Sequence, residues 1–146
     1  MKPTEQLHEL GQSLWLDNIT RTMLQDGTLA RYIDELSITG LTSNPTIFDK
    51  AISQGDAYDE QISELTERGL SPEEIFFAVA IRDLQAATDL FAPVHERTDG
   101  VDGFVSLEVS PLLADDAPGT IEQVRRLRDE GDRDNLFIKI PGTVAG

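Results

Sequence analysis

Short apolar runs of strand length alternate along this chain with longer stretches of helical periodicity, and that alternation restricts the fold to βαβ units around a parallel sheet. The runs fall at 13–17, 37–42, 103–109 and 135–140. In the first, Leu14 and Leu16 face one side and Trp15 the other. A helix is expected over 3–12, ending near Gly11, and another over 28–36, where Leu29, Tyr32, Ile33 and Leu36 share one side. Three more are expected between Pro45 and Arg97. The first covers about 46–53 and the second about 56–68. The third opens at Ser71-Pro-Glu-Glu74, a capping box with proline in the first turn. It carries Phe76, Val79, Ala80, Leu84, Ala87 and Phe91 at helical spacing, which reads as a core face and not as ligand contacts. A last helix runs from a Thr120 cap through Glu130 and is closed by Gly131.

A chain of 146 residues fits one domain, residues 1–146, and can bury a real core. With 27 acidic against 12 basic side chains its formal net charge is −15. Such a surface repels a phosphate backbone, so neither nucleic acid nor an anionic membrane is an expected partner. Arg125, Arg126 and Arg128 share one apparent helix and read as a solvated face, not as a phosphate cluster. Cysteine is absent, which excludes disulfides and thiolate metal sites and fits a reducing cytoplasm, the expected location. No apolar run approaches the roughly 20 residues of a membrane-spanning helix. The opening residues lack the apolar core of a signal peptide. His8 and His95 receive no role, and no glycine-rich phosphate loop or nucleotide fingerprint is present.

Each strand run ends in a polar residue: Asp17, Asn44 just after the second, Glu108 and Lys139. In β/α barrels the active site lies at the C-terminal face, built from the ends of several strands. Spacing agrees, since 31 residues separate Glu108 from Lys139 and 27 separate Asp17 from Asn44, about one βα unit each. Lys139 is the sharpest signal, because it interrupts Asn135-Leu-Phe-Ile-Lys-Ile-Pro141. An ammonium among apolar neighbours loses hydration, which favours the neutral amine, a nucleophile for carbonyls. Each residue also has a purely structural explanation. Asp17 could cap a following helix, Asn44 could initiate a turn before Pro45, Glu108 could pair with Lys139, and a lysine can guard an edge strand.

The segment Gly40-Leu-Thr-Ser-Asn-Pro-Thr-Ile-Phe48 resembles the signature of the transaldolase family, and Leu136-Phe-Ile-Lys-Ile-Pro-Gly-Thr143 resembles its Schiff-base lysine segment. Ser106-Leu-Glu-Val-Ser110 and Leu14-Trp-Leu-Asp17 are similar to its third-strand glutamate and first-strand aspartate segments. The resemblance implies an α/β fold: the N-terminal half of a TIM (β/α)8 barrel, with about four parallel strands and an extra-helix excursion between strands 2 and 3. It implies a class I transfer of a dihydroxyacetone unit between sugar phosphates, as in the pentose phosphate pathway, with no metal and no cofactor. In that scheme Lys139 forms the iminium, Glu108 moves protons through a water, Asp17 takes the substrate hydroxyl proton and Asn44 holds a substrate hydroxyl. A tight ion pair from both carboxylates to Lys139 would disarm it. The chain is expected to be a truncated form whose missing half holds the phosphate contacts, with first and fourth strands left as edges open to association. The alternatives are an inert half-barrel fragment and a simple class I aldolase.

Overall fold

A computed structural model describes residues 2–146. Four parallel strands form a single sheet in the order β1 (Trp15–Asp17), β2 (Gly40–Thr42), β3 (Val105–Glu108) and β4 (Leu136–Lys139). Helix α1 (Pro3–Glu9) precedes the sheet. Helices α2 (Arg21–Gln25) and α3 (Thr28–Leu36) cross from β1 to β2. The excursion between β2 and β3 holds α4 (Pro45–Ser53), α5 (Asp59–Glu67) and the 26-residue α6 (Pro72–Arg97). A 3-10 turn (Pro111–Leu113) and α7 (Ala117–Gly131) connect β3 to β4. The chain is thus one half of a β/α barrel, with the three helices between strands 2 and 3 where the sequence puts them.

The period of two along each strand divides the sheet into two faces. Leu41, Val105, Leu107 and Leu136 turn toward the helices and are buried with Leu29, Leu84, Ala87, Phe91, Val94 and Leu127 in one continuous core. Each such side chain contributes roughly 1.5–3 kcal/mol of burial free energy. The alternate residues, Trp15, Asp17, Thr42, Ser106, Glu108, Phe137 and Lys139, share the opposite, concave face. Gly40 lies there too, and a Cβ on it would overlap the Trp15 indole, so glycine is what lets that ring lie across β2.

Several boundaries differ from the sequence reading. The strands are shorter than expected; β2 starts late because Ser37 adopts a left-handed conformation (φ 53°) to end α3 and only then does the chain extend. Helix α1 stops at Glu9, and α7 begins at Ala117 with Asp116, not Thr120, accepting the capping bond from the Gly119 amide. The Thr120 hydroxyl instead donates to the Leu113 carbonyl. Helix α2 was not expected at all. On α3, Leu29 and Ile33 are buried, whereas Leu36 remains 40% exposed. Of the α6 face, Val79, Ala80, Leu84, Ala87 and Phe91 are core; Phe76 is half-buried, edge-on to Phe48 and Phe77.

Candidate active site

Parallel pairing brings the C-terminal ends of all four strands to one rim. The register sets Asp17 beside Thr42, Thr42 beside Ser106, and Glu108 beside Lys139. Asp17, Asn44 and Glu108 line one open cleft of about 540 Å³, together with Pro45, Thr46, Ile47, Lys50 and Pro111. Lys139 joins the cleft through Glu108, whose Oε2 lies 3.1 Å from its Nζ. The four residues expected to act together therefore stand together.

Their partners sort the competing structural explanations. Asp17 does not cap the helix that follows, because Thr20 Oγ1 accepts the Met23 N–H at the start of α2. Asp17 is exposed on the cleft wall instead. Asn44 does cap α4: its Oδ1 accepts the Ile47 N–H at 3.0 Å, just before Pro45 in the first turn. Only its amide NH2 is then left for a substrate. Glu108 is the ion-pair partner of Lys139, as its structural explanation requires, and of the two carboxylates it alone makes that pair.

The surroundings of Lys139 differ from the apolar sheath expected from sequence. Its side chain is 39% exposed, against 22% for Glu108. The ammonium donates to the Ser43 carbonyl at 2.9 Å and to Thr42 Oγ1 at 3.4 Å. Thr42 Oγ1 and Ser106 Oγ are 2.8 Å apart, and Ser43 Oγ donates to the Ser106 carbonyl at 2.7 Å. The reason lies in the strand period: Ile138 and Leu136 go to the helical core, while Lys139 goes to the concave face, where β2 and β3 present hydroxyls. Thr42, Ser43 and Ser106 were not singled out as site residues. The signal was available, since Ser106 and Glu108 are two apart on one strand and must share a face.

Second-layer contacts fix the strand ends. The Gln123 carboxamide, buried on α7, accepts the Ser110 N–H at 2.5 Å and donates to Glu73 on α6 at 3.1 Å, anchoring the loop that leaves β3. The Asn135 amide donates to the Thr88 and Gly103 carbonyls, both at 2.9 Å, where β4 begins. His95 also serves the fold, with Nδ1 2.8 Å from the Asp102 carbonyl and its ring edge-on to Phe104. The arginines of α7 gather into no cluster, Arg126 facing Glu130 and standing 5.7 Å over the Phe77 ring, and Arg128 facing Asp134.

A parallel β/α sheet that gathers a lysine–glutamate pair, an aspartate and an asparagine at its C-terminal rim places the chain among the β/α-barrel proteins. The sequence profile described as transaldolase/fructose-6-phosphate aldolase matches residues 14–146. Curated transaldolases are similar along the whole chain: that of Thermobifida fusca is 49% identical over 144 residues, covering 99% of this chain and 39% of its own length. That of Arthrobacter sp. is 46% identical with the same coverage, and that of Thiobacillus denitrificans is 44% identical over 146 residues, or 41% of its length. This chain belongs to the transaldolase/fructose-6-phosphate aldolase family. It spans about two fifths of the length of these curated relatives.

Proposed function

We propose that this chain carries the Schiff-base half of a transaldolase, which moves a dihydroxyacetone unit from sedoheptulose 7-phosphate to glyceraldehyde 3-phosphate. The observation that supports it best is the Lys139–Glu108 pair at 3.1 Å on a rim shared with Asp17 and Asn44. Glu108 takes a proton from the Lys139 ammonium, directly or through a water. The freed amine attacks the ketose carbonyl carbon and forms a carbinolamine. Protonated Glu108 then returns the proton to the departing hydroxyl, which leaves as water, and the iminium remains.

The iminium is the electron sink for carbon–carbon cleavage. Asp17 removes the proton from the hydroxyl on the far side of the breaking bond. The bonding pair flows to nitrogen, the aldehyde leaves, and an enamine stays on Lys139. Attack of that enamine on the acceptor aldehyde reverses each step, with Asp17 giving its proton back. Asn44 orients a substrate hydroxyl through its amide NH2, the group its capping role leaves available. The work belongs in the cytoplasm, in keeping with the cysteine-free composition, and with a net charge of −15 neither nucleic acid nor an anionic membrane is a partner. No described helix is long and apolar enough to cross a membrane.

Borohydride reduction in the presence of a ketose tests this reading directly. Dihydroxyacetone or fructose 6-phosphate should leave a covalent mass increment on the peptide holding Lys139, and K139R should leave none. An increment that spares Lys139, or none at all, ends the proposal.

A further inference from the structure

Gln123 anchors the chain where it leaves β3, and Asn135 anchors it where it enters β4. The end of β1 is held from further off. Asp17 is its last residue, and Asn18, Ile19 and Thr20 lead from it into α2, with Ile19 fully buried. Arg21, the first residue of α2, is then bound through its backbone and through every nitrogen of its side chain. Its N–H donates to the Tyr58 hydroxyl at 2.8 Å. Its Nε donates to Asp83 of α6 at 2.8 Å, its Nη2 to Gln61 of α5 at 2.7 Å and its Nη1 to the Ala57 carbonyl at 3.3 Å. The guanidinium also stands 4.4 Å over the Tyr58 ring. The Arg21 and Asp83 side chains are only 8% and 3% exposed.

A buried ion pair adds little net stability, because desolvation of both charges offsets most of their attraction. What it fixes is direction. A planar guanidinium bonded through all three nitrogens admits few placements of the backbone that carries it. That backbone lies four residues from Asp17. We infer that Arg21, clamped by Asp83, Tyr58 and Gln61, is a positioning residue that sets the direction from which Asp17 meets substrate in the cleft. This role rests on the reading above, in which Asp17 takes the substrate hydroxyl proton. Proton transfer needs the two groups within hydrogen-bond reach, and a displacement of about 1 Å costs on the order of 100-fold. Glu108 and Lys139 pair on β3 and β4, whose anchors are Gln123 and Asn135 and not the clamp. Loosening the clamp therefore slows carbon–carbon cleavage and spares iminium formation.

Borohydride trapping with fructose 6-phosphate reads the two steps separately. Reduction before cleavage leaves the whole ketose phosphate on Lys139. After cleavage, water protonates the enamine at carbon, and reduction of the resulting iminium leaves the smaller dihydroxyacetone adduct. Mass spectrometry of the Lys139 peptide gives the ratio of the two. Y58F removes the acceptor of the Arg21 N–H, and D83N removes the charge facing the guanidinium while keeping an oxygen for Nε. Each should raise the ratio of whole-ketose to dihydroxyacetone adduct several-fold. Trapping of free dihydroxyacetone, which needs no cleavage, should keep the parent rate. Amides of Asn18 to Thr20 should exchange hydrogen faster in both variants, with those of Glu108 and Lys139 as in the parent. Y58F, which leaves the ion pair intact, decides the matter where D83N fails to fold. An unchanged ratio in folded Y58F, or an equal loss of both adducts, overturns the clamp's role. A parent chain that traps the ketose without cleaving it overturns that role and leaves Lys139 as the Schiff-base residue, whereas no adduct at all ends the Lys139 reading itself.

Discussion

The observed role of Asn44 and its proposed one can be pulled apart by different substitutions. Its Oδ1 caps α4, and in the proposed mechanism its amide NH2 is the group offered to substrate. N44A removes both, and should cost about 0.5–2 kcal/mol of stability, the usual value of a lost cap. N44D keeps the acceptor and the cap but removes the donor. Urea denaturation should therefore leave N44D near the parent chain, while borohydride trapping at Lys139 slows in both variants. Trapping at the parent rate in N44D would leave Asn44 as a helix cap and nothing more. The residue types at this rim were legible because polar side chains ending apolar runs stand out. The hydration of Lys139 was not legible, because it depends on which face of β4 the lysine takes and on hydroxyls supplied by β2 and β3.

At the scale of elements, α2 shows what a sequence hides. It is only five residues long, too short for a periodicity signal, although Thr20 was available as a cap. Its Arg21 is buried. Its Nε donates to Asp83 of α6 at 2.8 Å, its guanidinium stands 4.4 Å over the Tyr58 ring, and its N–H donates to the Tyr58 hydroxyl at 2.8 Å. The partners lie 37 and 62 residues away, so no local pattern could reveal the knot that ties α2 to α6 and to the start of α5. Removing one partner of a buried pair leaves the other charge uncompensated, so D83A should lose roughly 3–5 kcal/mol in chemical denaturation. A loss below about 1 kcal/mol would mean that water reaches Arg21 freely. Burial, and then the Asp83 charge, push the Tyr58 phenol up to about 12 from its usual 10. The native state thus holds a proton that the unfolded state gives up near pH 10. That contribution to stability is complete below pH 10 and is lost as pH rises through about 12. The melting temperature should fall over that window, and Y58F should flatten the fall.

For the whole molecule, the strand order was legible because consecutive βαβ units place successive parallel strands side by side. The open concave face was legible only in outline, since the sequence shows which residues alternate but not that Phe104 and Phe137 stack into one slab.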